Sequence, residues 1–330
     1  MISINNYRKG YFLSKKFRIL SLDGGGIRGL YSAQMLKNIE DKCGVDFYND
    51  FDLIVGTSTG SILAGAIVQK IDLDEVVSLY QNEGKNIFKK RWYARIGLFR
   101  SRYNPNSFKK VLDSVFKNNP LLGDIDKPLI INATNIGDSS QFVFKTTFNG
   151  QVDGKNNKKV LVRDGDIALT DAILASSSAP IFFPPHKVKN FLLADGGLWA
   201  NSPVLVALAE AKKIFNTEPK DVAILSIGTG LEKNDYDIDT KKWGFLTGWK
   251  REKLISMILN LQTKTNSDLL QFLMPKENFL RLTFTSTKGL PLDKISENSN
   301  LLSKADSDFS KKHSEIQNFI DTHIKDKNVR

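Results

Sequence analysis

The stretch FDLIVGTSTGSILAGAI, from Phe51 to Ile67, constrains the architecture of this chain more than any other. FDLIV is short and apolar, carries Phe51, Ile54 and Val55, and predicts a buried strand. SILAGAI is built of small and apolar residues and predicts a helix packed closely on its neighbours. Between them Gly56-Thr57-Ser58-Thr59-Gly60 fits G-x-S-x-G in the strand–turn–helix setting that a nucleophile elbow demands. A tight turn there lifts the Ser58 hydroxyl clear of a sheet, and glycines at both ends let neighbouring chain approach. The helix N-terminus behind it offers N–H groups and a positive dipole end to an oxyanion. The same five-position pattern occurs in glycine-rich turns with no chemistry, so the flanking strand and helix carry the inference.

A second glycine turn precedes the elbow. Arg18 to Leu22 predicts a strand that runs into Asp23-Gly24-Gly25-Gly26-Ile27-Arg28-Gly29, followed by a helix with Leu30, Met35, Leu36 and Ile39 that ends near Gly44. Gly24 to Gly29 satisfies G-x-G-x-x-G, and dinucleotide binding would then want a second strand ending in an acid for the ribose. Asp46 lies at a suitable distance, but the next convincing strand ends in GTSTG rather than in an acid, which argues against that reading. The other use of such a loop is a row of backbone N–H donors for an oxyanion, here Gly24, Gly25 and Gly26. Arg28 either holds the loop in place or adds positive charge beside it.

Farther along, Leu73–Gln81 predicts a helix, and Leu129–Thr134 and Phe142–Thr146 predict strands. A polar turn is expected over Gln151–Lys159, a helix over Leu169–Ser176, and a kinked extended segment at Pro180, Pro184 and Pro185. Phe191–Ala194 predicts a strand delivering Asp195-Gly196-Gly197. A helix then starts with Asn201 or Ser202 as N-cap and Pro203 in its first turn. Val222–Ile227 predicts a further buried strand. Beyond it the pattern predicts an exposed acidic loop over 231–240, a helix over Lys253–Phe272, a strand over Phe279–Thr285 and a last amphipathic helix over Ala305–Ile324. Strands alternating with helices at this spacing predict an α/β fold, a three-layer α/β/α sandwich with a mainly parallel central sheet. The 330 residues read as one domain, with a motif-bearing core over 17–230 and a C-terminal extension over 231–330.

Charge distribution is more informative than the net +11. Lys85 to Lys110 holds nine Lys/Arg and no acid, interleaved with Phe88, Trp92, Tyr93, Phe99, Tyr103 and Phe108. Such segments suit anionic lipid surfaces or nucleotides; the alternative is a solvated loop whose aromatics are simply core. No recognisable nucleic-acid module accompanies it, so nucleic acid ranks last among partners. Trp243, Phe245 and Trp249 with Lys241, Lys242, Lys250 and Arg251 form a second basic and aromatic patch. Cys43 is the single cysteine, which rules out an intramolecular disulfide and suits a reducing cytoplasm. The first residues lack the apolar core of a signal peptide, and no run of about 18 apolar residues predicts a membrane span.

A serine nucleophile needs a base. The three histidines are His186, in a loop after FFPP, and His313 and His323, in the charged C-terminal helix, and none is marked as that base by its surroundings. Asp195, on a glycine turn at a strand end, can accept the proton directly if it lies within reach of Ser58. Its alternative role is a turn aspartate bonding its own backbone. The order DGGGxRG, GTSTG, DGG, with ASSSAP (Ala175–Pro180) and ADGGLWANSPV (Ala194–Val204), resembles the patatin-like phospholipases over Phe17–Gly230. One departure is Ser61 after the elbow glycine Gly60, where many members have another glycine. The resemblance implies a lipid acyl hydrolase with Ser58 as nucleophile, Asp195 as general base and Gly24–Gly26 with Arg28 around an oxyanion hole. It also implies no metal or other cofactor, a membrane phospholipid substrate, and cytoplasmic localisation with peripheral membrane association. Bacterial patatin-like effectors of antiphage cyclic-nucleotide signalling have the same general look, and Lys85–Lys110 would then bind an anionic nucleotide activator. A silent storage or binding protein with this fold is a further reading, against which the retention of both Ser58 and Asp195 argues. Oligomeric state stays open.

Overall fold

Each apolar strand run has to be covered on two sides, and the chain meets this with one sheet between two helical layers. The structure is a computed structural model that describes residues 16–87, 101–146, 148–152, 155–159, 163–232, 236, 239, 241–244, 247–249, 251–286 and 291–325. In chain order the elements that position the site are β1 (Phe17–Leu22), α1 (Gly29–Cys43), β2 (Leu53–Thr57), α2 (Thr59–Val68), α3 (Leu73–Ser78), α4 (Pro105–Val115), β3 (Leu129–Asn135) and β4 (Ser140–Lys145). They continue with α5 (Leu169–Ser176), β5 (His186–Val188), β6 (Phe191–Asp195), α6 (Val204–Phe215), β7 (Val222–Ile227), α7 (Arg251–Leu273), β8 (Phe279–Leu282) and α8 (Asn298–Phe319).

The main sheet runs β8-β7-β1-β2-β3-β6-β5, with β4 also paired to β3. From β8 through β3 every pairing is parallel, whereas β4, β5 and β6 are antiparallel additions. Side chains alternate along each strand. Leu20, Leu22, Ile54 and Leu225 enter the larger core with Leu36 of α1, Leu63 of α2 and Ile173 of α5. Ile19, Leu53, Val55 and Ile224 face the other way, onto Val204, Ala207 and Leu208 of α6 and Leu270 of α7. The result is the three-layer α/β/α sandwich with a mainly parallel sheet.

Several local expectations need correction. The segment Gln151–Lys159 is not a turn: Phe148–Val152 and Lys155–Lys159 form an antiparallel ribbon in which backbone pairing outweighs poor strand composition. The helix expected over 73–81 is α-helical only to Ser78 and continues as a π-helical turn, Leu79–Glu83, which buries Tyr80. α6 begins at Val204 with Pro203 at the cap position and no side-chain cap bond, because the short helix Gly197–Ala200 precedes it and Asn201 is engaged elsewhere. The acidic loop expected after Gly230 begins as a short strand, Leu231–Glu232, paired with Thr285–Ser286. Of the basic segment, residues 88–100 lie outside the described residues, Phe88, Trp92, Tyr93 and Phe99 among them. Its remaining aromatics are core: Tyr103 and Phe108 are buried and pack on Phe183, while Lys85, Lys109 and Lys110 are exposed. No helix of the described residues is long and apolar enough to cross a membrane.

The segment after Gly230 supplies more than an edge. Arg281 of β8 reaches across β7 to Asp23 at the end of β1, with Nη1 donating to Asp23 Oδ1 at 3.1 Å and to Ser226 Oγ at 2.6 Å and Nη2 donating to Asp23 Oδ2. Burial pushes the Asp23 carboxyl above its ordinary range, and the guanidinium opposes that shift. Removing one partner of a buried pair strands the other charge, which costs about 3–5 kcal/mol. Arg281→Met should therefore lower unfolding free energy by about that amount, and adding Asp23→Asn should restore part of it. Denaturant titration of the two variants decides this, and a loss below about 1 kcal/mol for Arg281→Met would mean that the pair is worth no more than an exposed one.

Candidate active site

Because β4 occupies one edge of β3, β2 and β6 share the other. β2 runs parallel to β3 as far as Thr57 opposite Asn132, and β6 runs antiparallel as far as Asp195 opposite Ala133. The two strands therefore approach along one line and end at adjacent register positions. Ser58 follows Thr57, its side chain is near enough to the Asp195 carboxylate to favour that group's charged form, and both residues line one pocket.

The turn at Ser58 is strained. Its φ is 53° and ψ −122°, a conformation that non-glycine residues rarely adopt and that marks elbow nucleophiles. A Cβ at Gly60 would collide with the carbonyl oxygen of Leu22, and one at Gly56 would collide with Gly60, so only glycine permits this close crossing of β1, β2 and α2. The Ser58 N–H donates to Ser176 Oγ at 2.8 Å, and Ser176 Oγ donates to Asn132 O at 2.6 Å. Ser61 fills the departure from the family pattern with a bond of its own, its hydroxyl donating to Ser58 O at 2.6 Å. Thr57 Oγ1 donates to Ala200 O at 2.7 Å, and Thr59 Oγ1 meets the Tyr80 hydroxyl at 2.5 Å.

Asp195 is held as firmly. Its backbone N–H donates to Ser178 O at 3.0 Å, its carbonyl accepts from Thr134 Oγ1 at 2.7 Å, and its Oδ1 accepts the Gly197 N–H at 2.6 Å. The Gly196 N–H donates to Ser176 O at 3.3 Å. Burial raises the carboxyl to about 6, although the Gly197 N–H bond and the nearby Ser58 side chain favour the charged form. The turn thus bonds its own backbone with one oxygen and still presents the carboxylate to Ser58.

The glycine loop lies against the elbow. The Gly24 N–H is used, donating to Asn201 O at 3.0 Å. The Gly25 and Gly26 N–H groups have no hydrogen-bond acceptor among the described residues, and both glycines line the pocket that holds Ser58. Arg28 is buried and turned to the loop, with Nε donating to Gly25 O at 3.1 Å and Nη1 to Gly230 O at 3.3 Å; burial pushes its pKa down to about 10. It holds the loop. From the far side Leu292 O accepts the Ile27 N–H at 2.8 Å, and Asp293 accepts from Arg102 Nη1 at 2.9 Å and from the Tyr103 hydroxyl.

Ser58 and Asp195 open into a pocket of about 750 Å³ including its mouth, with walls that include Ile62, Phe108, Phe182, Ile255, Leu259 and Leu292. None of the three histidines lines it. His186 pairs with Asp171 at 3.0 Å, His313 packs on Phe309 and His323 on Phe319. Asp46, the ribose candidate of the dinucleotide reading, instead caps a short helix by accepting the Asn49 N–H at 2.9 Å. Among the described residues no group of three or more His, Cys, Asp or Glu is placed to hold a metal ion.

The family model described as patatin-like phospholipase matches residues 20–208. The chain belongs to this family. It is 32% identical to a cGAMP-activated phospholipase of Escherichia coli (strain TW11681) over 76% of this chain and 74% of that one. It is 28% identical to a cUMP-AMP-activated phospholipase of Escherichia coli over 81% of each. It is 29% identical to the calcium-independent phospholipase A2-gamma of Rattus norvegicus over 84% of this chain, which spans 36% of that longer protein.

In this patatin-like phospholipase the residues that hold Ser58 and Asp195 come partly from places the motifs did not mark. Ser176 and Ser178 tie the Ser58 turn to the Asp195 turn; the ASSSAP block was visible but its role was not. Asn201, Leu292 and Arg281 reach the glycine loop from segments remote in sequence, and only the fold brings them there. The Asp195 environment has a consequence for stability. A carboxyl whose folded pKa is about 6 binds its proton more tightly folded than unfolded, so its contribution falls as pH rises from about 4 to about 6 and is then fully lost. Asp195→Asn should therefore raise stability at pH 7 by about 1–3 kcal/mol, with the gain vanishing below about pH 4. Thermal unfolding across that range checks it, and a destabilised variant at pH 7 would contradict it.

Proposed function

We propose that this patatin-like phospholipase works through Ser58 and Asp195. The observation that carries the reading is Ser58 and the buried Asp195 carboxylate brought together in one largely apolar pocket that Gly25 and Gly26, whose N–H groups have no acceptor among the described residues, also line. Asp195 takes the hydroxyl proton as Ser58 Oγ attacks the acyl carbonyl of a glycerophospholipid. The resulting oxyanion is held by the Gly25 and Gly26 N–H groups, with the N-terminus of α2 adding its dipole. Gly24 and Arg28 act by shaping that loop. Collapse of the tetrahedral intermediate breaks the ester C–O bond, and the proton on Asp195 passes to the leaving lysophospholipid oxygen. Water then gives a proton to Asp195 as it attacks the acyl-Ser58 carbonyl, and that proton passes to Ser58 Oγ as the acyl–oxygen bond breaks and a fatty acid leaves. The apolar walls bury the acyl chain and keep the carboxylate poorly solvated, which makes it a stronger base than a free aspartate. The enzyme meets its substrate as a peripheral protein at a membrane surface.

A second reading concerns control. Relatives described as activated by cGAMP and by cUMP-AMP support a cyclic dinucleotide activator for this chain as well, with Lys85–Lys110 as the anionic-ligand segment. Release of fatty acid from phosphatidylglycerol vesicles, with and without each dinucleotide, tests the activity and its control together. Ser58→Ala and Asp195→Asn should each lose more than about a thousandfold in turnover while remaining folded. In the wild type kcat/KM should rise with pH and level off above about 6, because Asp195 must be ionised to accept the proton. Retained activity in Ser58→Ala, or a profile flat between pH 5 and 7, would contradict the mechanism.

A further inference from the structure

Helix α7 is amphipathic the wrong way round for a helix that simply covers a core. Apart from the core residue Leu270 its buried side is largely polar: Ser256, Thr263 and Ser267 are buried there, and Gln262, Asn266 and Asn260 lie half-buried among them. These groups are used. Gln262 Oε1 accepts the Asn201 N–H at 2.6 Å, Thr263 Oγ1 accepts from Asn201 Nδ2 at 2.8 Å, and Asn266 Nδ2 donates to Ser202 O at 3.0 Å. The outward side carries Ile258, Leu261, Leu269, Phe272 and Leu273, with Leu261 57% and Phe272 87% exposed. At 100° per residue, positions 258, 261, 269, 272 and 273 fall within an arc of about 120°, which exposed Thr265 shares and exposed Asp268 borders. Monomeric soluble surfaces rarely leave such a stripe open.

What fits it is decided by its borders. Ile255 and Leu259, one step around the helix, line the pocket that holds Ser58 and Asp195, so the stripe borders that pocket. At the N-terminal end of α7, Trp243, Trp249 and Tyr236 form a ring cluster, with Trp243–Trp249 centroids 5.3 Å apart and Lys253 Nζ 4.5 Å from the Tyr236 ring. Both tryptophans are exposed, as are Lys241, Lys242 and Lys264, and no charged residue stands between Lys253 and Lys264. An apolar stripe edged by tryptophan and lysine is the composition of a helix that lies in the headgroup plane of an anionic bilayer. We infer that the outward face of α7, with the Trp243–Trp249 cluster, is the surface by which this enzyme seats on an anionic lipid bilayer, with its pocket mouth at the interface. The inference rests on the proposed phospholipase reading, because it is the lipid substrate that requires the mouth to face a membrane. A second protein copy on the stripe would lie across the mouth instead.

The test uses Leu261→Glu/Phe272→Glu and the uncharged Leu261→Gln/Phe272→Gln in the full chain. Binding is measured by co-sedimentation with vesicles of phosphatidylethanolamine and phosphatidylglycerol, alongside hydrolysis of a soluble short-chain ester and mass by analytical ultracentrifugation. Both variants should lose at least tenfold in vesicle binding and in vesicle-lipid hydrolysis, with soluble-ester turnover within twofold of wild type and mass unchanged. Vesicle binding unchanged in both variants, or absent in the wild type, overturns the inference. So does a drop in assembly mass with binding retained, which would assign the stripe to a second copy. Loss of vesicle binding in the variants of an enzyme whose wild type hydrolyses no ester would keep the docking surface and sink the Ser58 mechanism instead.

Discussion

Two strands that advance toward each other along one edge of a third must stop where they meet. β2 and β6 do so beside Asn132 and Ala133 of β3, and their last residues deliver Ser58 and Asp195. The approach of these two residues is therefore set by backbone hydrogen bonding of the sheet rather than by flexible side chains searching for each other. The positive φ of Ser58 and the burial of Asp195 are both unfavourable in isolation. They persist because Ser176 and Ser178 bind the amides of both turns and because Gly56 and Gly60 let the crossing chains touch. The same burial that costs stability raises the basicity of the Asp195 carboxylate.

The glycine loop depends on the C-terminal third of the chain. Arg281 fixes the end of β1 through Asp23, Leu292 holds Ile27, and the polar side of α7 holds Asn201, whose carbonyl holds Gly24. The polar groups on the inner face of α7, beside the core residue Leu270, thus support the site, and a further apolar stripe is left outward. The chemistry of the pocket and the surface that would carry it to lipid are two faces of one helix.

Much of this was legible in the sequence because strand, turn and helix signals coincided at the motifs. FDLIV before GTSTG, RILSL before DGGG and FLLA before DGG each became a strand ending in its glycine turn. The apolar runs of β3 and β7 were equally plain, since strands buried on both faces need no polar alternation. The ribbon over 148–159 was missed because its residues are poor strand formers; the Asp-Gly pair at 153–154, which lies outside the described residues, was the available hint. The basic and aromatic segment left two readings open, since alternating charge and aromatic residues do not say which way each points, and Tyr103 and Phe108 fit the one in which the aromatics are core. Neither Arg281 nor Asn201 could be read as a support of the loop, because each acts through contacts that only the sheet order creates.

Covalent trapping addresses the central claim most directly. The chain is incubated with a fluorophosphonate, with and without cyclic dinucleotides, and the labelled peptide is identified by mass spectrometry. A single adduct on Ser58, strongly slowed in Asp195→Asn, is the result this structure predicts. Labelling at Ser61, Ser176 or any other serine in place of Ser58, or labelling of Ser58 that is as fast without the Asp195 carboxylate, would contradict it.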